Sequence, residues 1–220
     1  MKTVYYGDIY VGSVALRRRI MSQTSTIRQQ RTQDHLYRAF IKLVKEKGFH
    51  TVSVTDIVKE AKYNRTTFYK HFEDKFDLAD ALLTNMMKGL EEAVGIPYLQ
   101  RRKINSSELN HRSFRIVDYF YEQREFFELL TVPDTIPSLT TSLPLTILKI
   151  YKEQFHFVTV NDSHVNMETF KRYTAFGFYG IILNWITTNF AQPKKELVEE
   201  LIELTRSHMK TIEYIGQSSK

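Results

Sequence analysis

Between Arg65 and Lys70 the chain sets a guanidinium, two hydroxyls, a phenol and an ammonium around one apolar residue, Phe68. Phe68 and Phe72 stand four apart and so share one face of a helix, which leaves Arg65, Thr66, Tyr69 and Lys70 pointing elsewhere. A polar, basic, aromatic-tipped outer face on a short helix suits the major groove of DNA. An ordinary helical hairpin with solvated charges is the competing account.

The elements that must position this face are marked by caps. Ser53 and Asp56 have the spacing of a capping box, the carboxylate standing where Glu or Gln is usual. Val54, Ile57, Val58 and Ala61 follow as the apolar side of a helix of about two to three turns. Lys62-Tyr63-Asn64 breaks it, Asn64 can cap the next helix, and Asp74 can cap a third with Lys75 in its first turn. Upstream, Leu36, Phe40, Leu43, Val44 and the stem of Lys47 form the buried stripe of a helix predicted over residues 29–47. Gly48 sits where a helix end wants left-handed geometry, and Phe49 should tuck into a small core. Helix, turn and second helix together make a helix-turn-helix arrangement.

The net charge of +6 is lopsided. Residues 1–75 carry 15 Lys and Arg against 7 Asp and Glu, a net of +8, while the remaining residues carry 16 against 18, a net of −2. A basic segment joined to a near-neutral one fits a nucleic-acid binder with a separate module, and charge alone fits membrane-surface attachment equally. A chain of 220 residues, 42% hydrophobic and 25% charged, supports a globular protein of one large or two modest domains. With no cysteine there is neither a disulfide framework nor a thiolate metal site, which fits a reducing, cytoplasmic setting. No run approaches the roughly 20 apolar residues that span a bilayer.

Residues 1–25 are expected to be a disordered or mis-started tail, Met21 being the alternative initiator or the segment a basic arm touching phosphates. The Arg17-Arg18-Arg19 cluster follows the apolar stretch instead of preceding it, which rules out a secretory signal. A linking helix is predicted over residues 76–90, ended by Gly95-Ile96-Pro97, with residues 100–106 a loop. Further helices follow around Phe114–Tyr121 and Phe126–Leu130, then over residues 143–157, 167–190 and 193–214, with a turn at 158–164. The predicted fold is all-α, of about nine helices: a helix-turn-helix domain at 26–78 and a helical ligand-binding and dimerisation domain at 79–220. Aromatic side chains make up 13% of the chain. Phe114, Tyr121, Phe127, Tyr151, Phe155, Phe178 and Trp185 are candidates to line a pocket, with His111 or Asn184 as polar anchors, and plain core packing is the alternative. Gly177 and Gly180 lie three apart in a helix, where each costs about 1 kcal/mol relative to Ala, so close approach of a neighbouring helix should compensate.

The run T-V-x-x-I-x-x-x-A, then T-F-Y-x-H-F, then D-K-x-x-L resembles the DNA-binding domain of the tetracycline-repressor (TetR) family of bacterial regulators. Thr51, Val52, Ile57, Ala61, Thr67, Phe68, Tyr69, His71, Phe72, Lys75 and Leu78 fall on its pattern; Lys62 departs from it, where the family turns on Gly. The segment Y-T-A-F-G-F-Y-G-I-I-L-N-W-I is similar to the C-terminal part of many such regulators. The resemblance implies a homodimer on a near-palindromic operator in double-stranded DNA. It implies base reading by Arg65, Thr66 and Tyr69, and phosphate contacts from Thr55, Thr67, Lys70, His71 and Lys75. It further implies a dimer interface from the last two helices, drawn from Phe170, Tyr173, Gly177, Gly180, Ile181, Leu197, Leu201 and Leu204, with core burial as the competing explanation. A small-molecule effector, repression released by it, and transmission through the linking helix are likewise implied.

Enzymatic readings find no support: the chain has no HExxH, no glycine-rich phosphate loop and no G-x-S-x-G. Ser207-His208-Met209-Lys210 matches S-x-x-K in letters only, and Asp162-Ser163-His164 cannot form a triad from sequence neighbours. No catalytic residue, metal or cofactor is expected. The other function class left open is an interaction protein or coactivator of the same fold acting through a protein partner.

Overall fold

The computed structural model describes residues 8–162 and 164–216, residues 8–26 and 162 by their backbone alone. Residues 1–7 of the expected tail lie outside the described residues. The first helix, α1, is longer than expected, Asp8–Lys47. From Ser13 to Lys47 the sequence holds no Gly or Pro, so nothing interrupts the backbone hydrogen-bond ladder. Leu36, Phe40, Leu43 and Val44 are buried as their spacing requires, and Gly48 ends the helix at φ +80°.

Next come α2 (Val54–Glu60), α3 (Arg65–Tyr69) and α4 (Lys75–Gly95). Ser53 makes the capping box with Asp56, and Asp74 caps α4 through the N–H groups of Phe76 and Asp77. Phe49, Ile57, Phe68 and Leu78 meet with no exposed surface, each burial contributing about 1.5–3 kcal/mol.

The body contains α5 (Arg115–Glu122), the single turn α6 (Arg124–Phe127), α7 (Leu139–Glu153), α8 (Met167–Thr187) and α9 (Lys194–His208). Among the described residues the fold is nine α-helices with a small three-stranded antiparallel sheet: β1 (Lys103–Asn105), β2 (Phe155–Thr159) and β3 (Met209–Tyr214), in the order β1-β3-β2. The helices predicted to run to 157 and 214 therefore stop at Glu153 and His208, and the 100–106 loop holds a strand. Phe155, Phe157 and Thr159 are buried while His156 and Val158 are exposed, a period of two that no helix can keep. Ile104, Ile212 and Phe157 align across the sheet, so each strand is completed by residues about 50 to 110 positions away. Among the described residues no helix is long and apolar enough to cross a membrane.

Candidate nucleic-acid interface

The face expected to read DNA is built by short-range hydrogen bonds. Asn64 Oδ1 accepts the Thr67 N–H at 2.8 Å and the Thr67 hydroxyl at 2.9 Å, which starts α3. The turn before it runs through Lys62 at φ +59°, so a lysine takes the left-handed conformation that a glycine adopts without cost. Tyr63 steadies that turn: its N–H donates to the Val58 carbonyl at 2.8 Å, and its hydroxyl lies 3.0 Å from His35 Nδ1 on α1.

Arg65, Thr66 and Tyr69 are all exposed, Tyr69 to 55%. Phe68 and Phe72 are buried. Residues 62–71 contain no Asp or Glu. On the preceding helix, Asp56 pairs with Lys47 at 2.8 Å and Glu60 with Lys42 at 2.6 Å. The hydrogen bonds from Lys47 and Ser53 hold the Asp56 carboxyl well below the usual carboxylate range. Helix α3 and the turn before it are therefore basic and carry no carboxylate of their own.

The five residues expected at phosphates do not stand alike. Lys70 is exposed, with no ion pair among the described residues, and His71 is half-buried against Phe72. The Thr67 hydroxyl is committed to Asn64, and the Thr55 hydroxyl accepts from Arg65 Nη2 at 2.8 Å. Thr55 thus orients the Arg65 guanidinium. Lys75 is turned inward instead of toward a phosphate. Its ammonium donates to the carbonyls of Phe49 (3.1 Å), His50 (2.8 Å) and Val52 (2.9 Å) and lies 4.9 Å from the centre of the Phe49 ring. An ammonium has three N–H bonds, and here each meets a carbonyl of the loop after α1. Neither link was readable from spacing: Thr55 meets Arg65 across the turn, and Lys75 reaches back more than twenty residues.

In the body, Phe114, Tyr151, Phe155 and Phe178 line a cavity of about 60 Å³, joined by Tyr98. Phe127 and Trp185 belong to the core, the Trp185 Nε1–H donating to the Gln192 carbonyl at 2.8 Å. Tyr121 stacks on Trp185 from outside. His111 faces Glu199 at 3.5 Å and Asn184 lies on the exposed side of α8, so neither anchors the cavity. Of the residues expected at a dimer interface, Phe170, Leu197 and Leu201 are buried in this chain's own core. Tyr173 (75% exposed), Gly177, Gly180 and Leu204 are at the surface, with Ile181 half-buried.

A capped helix-turn-helix with an open, acid-free second helix, carried on a helical body, defines a DNA-binding regulator. The chain matches the family model described as bacterial regulatory proteins, tetR family, over residues 36–82, and that of a transcriptional regulator C-terminal region over residues 109–207. Together the two take in about two thirds of the sequence. The chain belongs to the TetR family of transcriptional regulators, which are not enzymes.

It is 22% identical over 172 residues to the HTH-type transcriptional regulator YxbF of Bacillus subtilis, covering 76% of this chain and 42% of YxbF. It is 35% identical over 54 residues to the dhaKLM operon transcriptional activator DhaS of Lactococcus lactis, covering 24% of this chain and 29% of that protein. The chain thus spans under half the length of these curated relatives. Among solved structures, a TetR-family regulator from Syntrophomonas wolfei superposes with a TM-score of 0.58 at 16% identity, covering 81% of this chain and 94% of that one. The fatty acid degradation regulator FadR from Bacillus halodurans superposes at 0.52 and 14% identity, covering 79% and 93%. At these identities the likeness is one of fold.

Proposed function

We propose that the chain is a repressor that binds a near-palindromic operator as a homodimer, and that a small molecule in the body cavity lowers its affinity for DNA. The observation that carries the first part is the open face of α3. Arg65 can pair in two places with guanine, and the Thr66 methyl or the Tyr69 ring can meet a thymine methyl. Lys70 and His71 flank them for phosphates. Support for a dimer comes from α8, where among the described residues, the helix's own nearby backbone aside, nothing lies within 4 Å of a Cβ built on Gly177 or Gly180. Among the described residues the two glycines have no close neighbour to compensate their cost, and a second copy laid along Tyr173, Phe176, Gly177 and Gly180 would supply one.

Coupling has a physical route. Helix α4 extends from Lys75, which holds the loop after α1, to Val94 in the cavity wall, a rise of about 30 Å. The body also grips the head directly. Asp134 accepts the His50 N–H at 2.9 Å and lies 2.6 Å from His50 Nδ1; its carbonyl takes the Phe49 N–H at 2.7 Å, and Glu128 pairs with Lys45. A wall displaced at Val94 would tilt α4 against these ties.

Fluorescence-anisotropy titration against genomic fragments at two salt concentrations tests the reading. One tight, palindromic site with a steep salt dependence is expected. Only weak binding, equal on all fragments, would favour an interaction protein instead.

A further inference from the structure

The chemistry of the cavity wall narrows what can fill it, an argument that rests on the reading that a small molecule binds there. The wall is aliphatic and aromatic, with four hydroxyls, those of Tyr98, Ser113, Tyr151 and Thr205, and no Asp, Glu, Lys, Arg or His. Two of the hydroxyls already donate, and that of Ser113 is engaged as an acceptor. Tyr98 donates to the Ser113 carbonyl at 3.0 Å, Thr205 donates to the Leu201 carbonyl at 2.7 Å, and the Ser113 hydroxyl accepts the Asn110 N–H at 3.3 Å. The Tyr151 hydroxyl makes no hydrogen bond with any described residue, although its ring is held against those of Phe157 and Phe178. Tyr151 is partly buried in the wall, and a hydroxyl with no protein partner there is free to donate to an acceptor on a bound molecule. Burial pushes the phenol pKa up, which keeps the proton in place.

Ionic occupants meet a barrier on either side. Aromatic faces attract cations, but the Lys171 ammonium already lies 5.9 Å from the centre of the Phe157 ring, and no carboxylate is present to neutralise a second positive charge. An anion would find no cationic side chain in the wall. An unpaired ion in such surroundings loses its hydration without replacement. The volume, about 60 Å³, matches the liquid share of about two waters, so a molecule of about two heavy atoms fits with the walls at rest and a larger one, butanone included, has to push the wall back.

We propose that the cavity takes a small neutral molecule, apolar over most of its surface and bearing one hydrogen-bond acceptor such as a carbonyl or ether oxygen, to which the Tyr151 hydroxyl donates. Longer members of the class enter by displacing the aromatic wall.

Three probes of one size and different charge test this: butanone, propanoate and sec-butylammonium, titrated into the full chain while the methyl resonances of Ile147 and Ile150 are followed by NMR. Butanone should give saturable shifts, and both ions should bind at least about tenfold more weakly. Tyr151→Phe, checked for an unchanged thermal midpoint, should weaken butanone by about three- to tenfold. Equal binding of either ion, unchanged butanone affinity in Tyr151→Phe, or no saturable shift with any probe overturns the proposal. If butanone fills the cavity as described but leaves operator affinity untouched, the chemical class stands and the effector reading falls.

Discussion

The head and the body hold their working parts in opposite ways. In the head, hydrogen bonds fix the backbone so that side chains can stand in solvent: Asn64 starts α3, Tyr63 ties the turn to His35, and Thr55 aims Arg65. In the body, rings pack against rings, Tyr98 on Phe155 and Tyr151 on Phe157 and Phe178, around a small void. An exposed reading surface has to be rigid before DNA arrives, because its side chains have no packing to order them. A small void needs only shape and a hydroxyl free to donate. Damage to the head should therefore divide into loss of framework and loss of reading, two effects that the body does not separate.

The sharpest test of that division is Phe68→Ala, which removes the aromatic plug behind α3. It should lower unfolding free energy by about 3–5 kcal/mol in urea titration and abolish operator binding with it. Binding that survived would mean the framework is not what presents α3. Lys75→Met comes next. It strips three carbonyls of their donor and should cost about 1–3 kcal/mol of stability, water reaching the half-buried loop in part. Operator binding by the folded variant should keep its salt slope, whereas a slope reduced by about one phosphate per subunit would return Lys75 to the DNA.

Arg65→Ala should do the reverse, leaving stability within about 0.5 kcal/mol while relaxing preference at particular base pairs by about 1–3 kcal/mol. Equal weakening on every sequence would demote Arg65 to a phosphate contact. The mildest effect is on acidification. The Asp56 carboxyl is held low by Lys47 and Ser53, so the folded state binds its proton less readily than the unfolded state. Its contribution is complete above the ordinary carboxylate range and fades as pH falls through and below that range. Asp56→Asn should flatten that part of the stability–pH curve, and an identical curve would show that the capping box is not what titrates.

The same division explains how far the sequence could be read. Caps at Ser53, Asn64 and Asp74 and the stop at Gly48 were legible because each depends on residues within four positions. The sheet was not: Phe155 to Thr159 shows a strand's alternation only over five residues, directly after a helix, and its partner β3 begins fifty positions later. The carbonyl partners of Lys75 were not legible because a lysine at a helix start looks the same in sequence whether it faces a phosphate or a ring of carbonyls. Helix α8 posed another limit, being apolar on both sides. Periodicity grouped Phe170 with Tyr173, yet the first faces the chain's own core and the second faces solvent.

The account's central claim is that two copies of the α3 face read one DNA site together. Selecting bound sequences from a random duplex pool, with the native chain and Arg65→Ala side by side, tests it most directly. The account predicts an inverted repeat with half-site centres about one turn of duplex apart, degraded in the variant at symmetry-related positions. Selection of no common sequence, or of a single half-site that Arg65→Ala leaves unchanged, would contradict it.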